Sequence, residues 1–143
     1  ALHIAHTHLT APGYYASMGY GVPAGLGLQT ATGERPLILV GDGAFQMTGW
    51  ELGNCRRYGW DPIVIVFNNH KLQLIEDEQK MTGNKPTNVE LANIDFAAFA
   101  IACGGEGYTV KTREELQDAL SKAKTSKRPV VVDAYVEDIS AVQ

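Results

Sequence analysis

Residues 40–51 read VGDGAFQMTGWE, directly after the apolar run Leu37-Ile38-Leu39-Val40. Four aliphatic residues running into a glycine mark a strand about to end. Asp42 then stands between Gly41 and Gly43, neither of which has a side chain. Gly and Asp both suit an ordinary turn. The other reading is that something charged comes very close to the backbone, because glycine removes the Cβ that would keep it away.

Working outward, residues 62–67 form a second run rich in β-branched and aliphatic residues. Between the two runs, Trp50, Leu52, Cys55 and Tyr58 predict a helical apolar face over residues 46–58, which makes a β-α-β unit. Strands are expected again at 108–110 and 129–135, separated by a helix over 113–124 with Leu116, Ala119, Leu120 and Ala123 on one face. Thr112 and Glu115 give that helix the spacing of a capping box. Further helices are expected over 14–30 and 95–103, and MTGNKPTNVELAN at 81–93 reads as a long polar loop of the kind that is often functional. Alternating helices and continuous apolar strands predict an α/β fold, a doubly wound, mostly parallel sheet with helices on both faces.

The bulk properties exclude several function classes. With 143 residues, 45% of them hydrophobic, the whole of 1–143 is expected to be one globular domain. A net charge of -4 offers no field for a phosphate backbone, so no nucleic acid partner is expected. The apolar runs are too short for a membrane span and the N-terminus lacks the regions of a signal peptide, so a cytoplasmic chain is expected. Cys55 and Cys103 have no CxxC spacing and are expected as buried free thiols. His3, His6 and His8 are expected to be solvated rather than to bind a metal, and the opening Ala1 suggests a piece of something longer.

Phe67-Asn68-Asn69-His70 follows the second strand as Gly41-Asp42-Gly43 follows the first, and Asn69 lies 27 positions after Asp42. That is about one strand, crossover helix, strand repeat. Right-handed crossovers bring both strand ends to one edge of the sheet, about 4.8 Å apart if the strands are neighbours. One carboxylate and one amide oxygen are hard ligands, suited to Mg²⁺ that keeps its other positions for phosphate oxygens and water. Asp42 alone reads better as a turn residue; paired with Asn69 at this spacing it reads better as a ligand. The N–H groups of Gly43 and Ala44, opening the next helix, can meet the same phosphates. A rival motif, Gly19-Tyr20-Gly21-Val22-Pro23-Ala24, nearly spells a dinucleotide fingerprint, but no strand precedes it and Pro23 falls inside it.

The pairing of GDG with NN about 25 residues later, together with APGYYASMGYGVPAGLG at 11–27, resembles the thiamine diphosphate-dependent superfamily of pyruvate decarboxylase, pyruvate oxidase and acetolactate synthase. The likeness is to its diphosphate-binding domain, usually the C-terminal one of three. It implies thiamine diphosphate and Mg²⁺ as cofactors, the ion held by Asp42, Asn69 and the backbone carbonyl of Lys71. It implies Gly41, Gly43 and Ala44 around the diphosphate, although Ala44 lacks the hydroxyl many relatives have there. Met18 becomes the apolar wedge that bends the cofactor, and Leu74 a contact of the thiazolium ring. It also implies that a Glu activating the cofactor comes from a separate pyrimidine-binding domain or chain, across a homo- or hetero-oligomer interface. This chain alone is therefore expected to be inactive.

The resemblance does not select one reaction. GDGAFQMTGWELGNCRR at 41–57 is similar to phenylpyruvate and indolepyruvate decarboxylases, whereas LIEDEQ at 74–79 and NIDFAAFA at 93–100 are more similar to pyruvate oxidase. Aldehyde-releasing pyruvate decarboxylases commonly carry a Glu six residues after the second Asn, where this chain has Ile75. We favour a non-oxidative decarboxylase of a 2-oxo acid, with oxidase or synthase as the alternative and FAD involved only under the oxidase reading. A non-catalytic cofactor-binding module is the third reading. Catalytic candidates are Leu74, Ile75 and Glu78, the last from the acidic run Glu76-Asp77-Glu78 that would otherwise be a solvated helix face. His70 is equally well read as a solvent-facing residue.

Overall fold

The computed structural model describes residues 15–137. In chain order they form α1 (Gly21–Thr32), β1 (Leu37–Gly41), α2 (Asp42–Thr48), a 3-10 helix (Gly49–Asn54), α3 (Cys55–Tyr58), β2 (Ile63–Asn68), α4 (Gln73–Met81), α5 (Phe96–Ala102), β3 (Glu106–Val110), α6 (Arg113–Thr125) and β4 (Val130–Tyr135). The four strands make one sheet in the order β1-β2-β4-β3, every pair parallel. This is the expected α/β architecture. His3, His6, His8 and the first residue of the helix expected over 14–30 lie outside the described residues.

One face of the sheet, through Ile38, Val40, Val64, Val66 and Val131, packs against Val22 and Leu26 of α1, Phe45 of α2 and Phe96 and Ala100 of α5. Phe45 meets Phe96 edge-on with centroids 5.2 Å apart, a favourable aromatic geometry. The other face, through Ile65, Val110, Val130, Val132 and Ala134, packs against Ala119 and Ala123 of α6. That helix covers the β3–β4 side, and Leu39 on β1 and Phe67 on β2 are exposed. Helices thus lie on both faces, but the second layer is partial.

Three local expectations need correction. The helix predicted over 46–58 is three shorter pieces, and its apolar face is half right: Leu52 and Cys55 are buried, but Trp50 and Tyr58 are exposed. Gly49 and Gly53 weaken helix continuity here, and Gly49 packs so close to the Phe45 ring that a Cβ would lie 2.8 Å from it. The first helix begins at Gly21, which puts Pro23 in its opening turn, where a missing N–H costs nothing. β3 starts at Glu106, two residues before the expected Tyr108. The capping box of α6 is as predicted: Glu115 N–H donates to Thr112 Oγ1 at 3.2 Å and Thr112 N–H to Glu115 Oε2 at 3.1 Å.

Both cysteines are free thiols, Cys55 buried and Cys103 half-buried. Burial, with smaller contributions from Cys103 and Asp61, pushes the Cys55 thiol up to about 12. The thiolate is the nucleophile, so at pH 8 Cys55 is both inaccessible and protonated. Iodoacetamide is expected to add one label to the folded chain, on Cys103, and a second only in denaturant, as read by intact mass; two labels on the folded chain would contradict this packing.

Candidate diphosphate and cation site

Two parallel neighbours bring the opening motifs together. Gly41 of β1 pairs in register with Phe67 of β2, so Asp42 and Asn69 leave adjacent strand tips at the same sheet edge. Asp42 is 3% exposed. Its Oδ1 accepts from its neighbour's N–H, Gly43, at 2.7 Å. Its Oδ2 is buried with no hydrogen-bond partner. A buried carboxylate oxygen without a donor is costly, on the order of 1–3 kcal/mol, and a cation is one partner that would satisfy it. The Gly43 N–H, expected toward a diphosphate, is here turned to Asp42's own carboxylate.

At the tip of β2 the chain turns through His70, a non-glycine residue at φ 59°. Leu72 N–H donates to Val89 C=O at 2.7 Å, and Leu91 N–H to His70 C=O at 2.8 Å, around the isolated bridge Lys71–Glu90. The long loop expected at 81–93 thus folds back as a strap on this turn. Because peptide groups alternate along an extended segment, Lys71's own N–H and C=O face away from the strap. Its N–H donates to Asn69 Oδ1 at 3.2 Å, so Lys71 C=O lies on the Asn69 side. Asn69 Nδ2 donates to Gln73 Oε1 at 3.1 Å, and Gln73 Nε2 to Asp77 Oδ1 at 3.0 Å. This chain of amides fixes which end of Asn69 is oxygen.

A cavity of about 640 Å³ opens over these groups, lined among others by Met18, Gly41, Gly43, Ala44, Leu74 and Ile75. Met18 reaches it from the turn before α1, where Thr48 Oγ1 donates to Gly19 C=O at 2.8 Å and ties that turn to α2. A Cβ on Gly43 would lie 2.6 Å from Leu72 Cδ2 and 3.2 Å from Met18 Cε, so glycine keeps the floor of the cavity open. Leu74, 75% exposed, and Ile75 stand on the first turn of α4 and form its rim.

The acidic run behaves differently from the expectation. Glu78 is exposed and does not line the cavity, whereas Glu76 and Asp77 are buried. Glu76 is held by Lys80 at 2.7 Å and faces Lys71 at 3.6 Å. Gln73 was missed at the sequence level, though it opens α4 four residues before Asp77, the spacing at which helical side chains meet. Asp133 was missed too: it is buried on β4 and accepts from Asn68 Nδ2 at 2.9 Å. Burial pushes its carboxyl above the usual range, with the Asn68 bond opposing. Its signal was a single carboxylate ending the run Val130-Val131-Val132.

The donors fit Mg²⁺ with a diphosphate. Among the described residues no group of three or more His, Cys, Asp and Glu could hold a metal. One carboxylate, one amide oxygen and one carbonyl leave octahedral positions for phosphate oxygens and water.

Fold and site together define a class: a parallel α/β domain with a buried, unpartnered carboxylate oxygen and a glycine-floored cavity at its strand tips. The chain belongs to the thiamine pyrophosphate enzyme family, whose C-terminal TPP binding domain model matches residues 2–134. It is 52% identical over 138 residues to indole-3-pyruvate decarboxylase of Azospirillum brasilense, covering 95% of this chain and 25% of that one. It is 32% identical over 136 residues to pyruvate oxidase of Lactiplantibacillus plantarum, covering 92% and 22%. A solved structure, the Rhodococcus jostii RHA1 thiamine diphosphate-dependent 4-hydroxybenzoylformate decarboxylase, shares the fold with a TM-score of 0.80 at 24% identity, covering 87% of this chain and 24% of that one. The chain spans about a quarter of the length of these relatives. No helix among the described residues is long and apolar enough to cross a membrane.

Proposed function

We propose that this chain supplies the Mg²⁺ and diphosphate half of a thiamine diphosphate-dependent enzyme that decarboxylates a 2-oxo acid of pyruvate or aryl-pyruvate type. The observation that carries it is the buried, unpartnered Asp42 Oδ2 beside the Asn69–Lys71 turn. The 52% identity to an indole-3-pyruvate decarboxylase supports decarboxylation as the reaction. In this reading Asp42, Asn69 and the Lys71 carbonyl hold the ion, Ala44 turns its N–H to the diphosphate, and Gly41 and Gly43 leave room for it, the Gly43 N–H being engaged by Asp42 Oδ1. Met18 props the cofactor from below. Thiamine diphosphate, when bound, supplies a thiazolium carbon that can hold the electron pair left by loss of carbon dioxide. Leu74 and Ile75 shield that carbon from water on the α4 side. Ile75 has no proton to give, so protons must be handled by groups beyond this rim, on a pyrimidine-binding domain or partner subunit. Glu78, exposed on α4, takes part only if such a partner covers it.

The aliphatic Ile75 at the cavity rim also suits an oxidase or synthase, and under the oxidase form FAD would be held mainly outside this chain. Two unpaired cysteines agree with a cytoplasmic setting. With Mg²⁺, thiamine diphosphate and indolepyruvate, this chain alone is expected to release no carbon dioxide, and addition of a pyrimidine-binding partner to restore release. Turnover by the chain alone would overturn the shared-site half of the reading. Cofactor binding without release in any combination, from aryl-pyruvate or pyruvate, would leave a binding module instead.

A further inference from the structure

We propose that Asp133, which does not line the cavity, is the positioning residue that sets the cation-binding turn, acting through Asn68. The inference rests on the functional reading above. Asp133 and Asn68 are each 1% exposed, facing one another across neighbouring strands β4 and β2. Burying a carboxylate in a sheet core is costly unless its partners are well placed, and an aliphatic residue there is often as stable or more so. The carboxylate must therefore be serving geometry. Its Oδ1 accepts from Asn68 Nδ2 at 2.9 Å and its Oδ2 from Phe96 N–H at 3.4 Å, the first residue of α5.

A carboxylate can only accept, whereas an amide can turn either end outward. Facing Asp133, Asn68 has to present its NH₂ there, and its Oδ1 is thereby aimed at the turn, where it accepts from His70 N–H at 3.2 Å. That bond is made at a residue in the left-handed region, φ 59°, a conformation unfavourable for a residue that carries a side chain. The His70 ring, edge-on to Tyr135 at 5.3 Å, adds a second hold from β4. His70 lies between Asn69 and Lys71, so its backbone angles set where the amide oxygen and the carbonyl point. If residue 133 could donate, the Asn68 amide could flip and would then oppose His70 N–H with its own NH₂. The turn would lose its anchor without any ligand being altered.

The test uses the intact protein that carries this chain, titrated with Mn²⁺ at saturating thiamine diphosphate, with free Mn²⁺ read by electron paramagnetic resonance and melting followed in parallel. Asp133→Asn, which is isosteric, is expected to weaken Mn²⁺ binding about tenfold, the low end of what outer-shell partners of metal ligands contribute. The exchange Asn68→Asp with Asp133→Asn is expected to return affinity to within about twofold of the parent, because the 68–133 link re-forms with donor and acceptor reversed while both side chains still offer an oxygen to the His70 and Phe96 N–H groups. Should Asp133→Asn fail to fold, Asn68→Ser breaks the same link from the turn's side and is expected to show the same loss. Parent affinity in a single variant whose melting temperature alone has dropped makes Asp133 merely structural and overturns the inference. So does an exchange variant no better than Asp133→Asn. Equal Mn²⁺ binding by the parent and Asp42→Ala would instead sink the site reading itself, and the inference with it.

Discussion

Asp42→Ala is expected to weaken Mg²⁺-dependent binding of thiamine diphosphate by a little over 100-fold, about 3 kcal/mol, while leaving the Mg²⁺-free protein no less stable than the parent. The two halves of that result have one cause. Without an ion, Asp42 carries a buried oxygen that nothing satisfies, a burden on the order of 1–3 kcal/mol that alanine removes. Against this stands the loss of one short bond, from Gly43 N–H to Oδ1 at 2.7 Å, and of a negative charge in the first turn of α2. These roughly offset, so the melting temperature in chelator should hold or rise. With an ion present the balance inverts, because the carboxylate is the only full charge in the proposed donor set of Asp42, Asn69 and the Lys71 carbonyl. Calorimetry of cofactor binding with Mg²⁺ reads the first half and a thermal melt in chelator the second. Equal heats for parent and variant would remove Asp42 from the site. A large fall in the chelator melt would show that the carboxylate is a structural cap.

Much of this site could be read from the chain because its two motifs sit at strand ends that local pattern makes visible. An aliphatic run stopped by Gly41, and another stopped by Asn68-Asn69, are period and breaker signals, and the parallel crossover then dictates a common edge. The Thr112–Glu115 cap was legible for the same reason, since both partners lie within one turn. What was not legible depends on partners far away in sequence. Asp133 meets Asn68 from 65 residues off, and nothing in either neighbourhood announces the other. Trp50 followed the helical period of Leu52 and Cys55, yet lies on the surface against Phe99, with ring centroids 5.0 Å apart, because the chain tightens into a 3-10 helix there. Glu76 and Asp77 looked like a solvated face, but Lys80 and Gln73 supply the partners that let them be buried. Apolar periodicity cannot see such compensation.

The fold itself is most exposed to failure at Gly107 on β3. A Cβ there would collide with the carbonyl oxygen, carbonyl carbon and Cα of Ala97, all backbone atoms of α5. A clash with the end of a flexible side chain can be relieved by a change of rotamer; a clash with helix backbone cannot, and the whole helix has to lift off the strand. α5 carries Phe96 and Ala100 into the main core, so lifting it would open that core as well. Gly107→Ala is therefore expected to destabilise the chain by at least about 3 kcal/mol, the upper range for overpacking. The matched control is Gly27→Ala on α1, where an added Cβ meets nothing within 4 Å. At an exposed helical position the same substitution removes backbone freedom from the unfolded chain and is expected to stabilise by roughly 0.5–1 kcal/mol. Urea unfolding followed by circular dichroism would give opposite shifts in midpoint for two chemically identical changes. Equal shifts would mean that α5 does not rest on Gly107, and the close α5–β3 packing described here would be wrong.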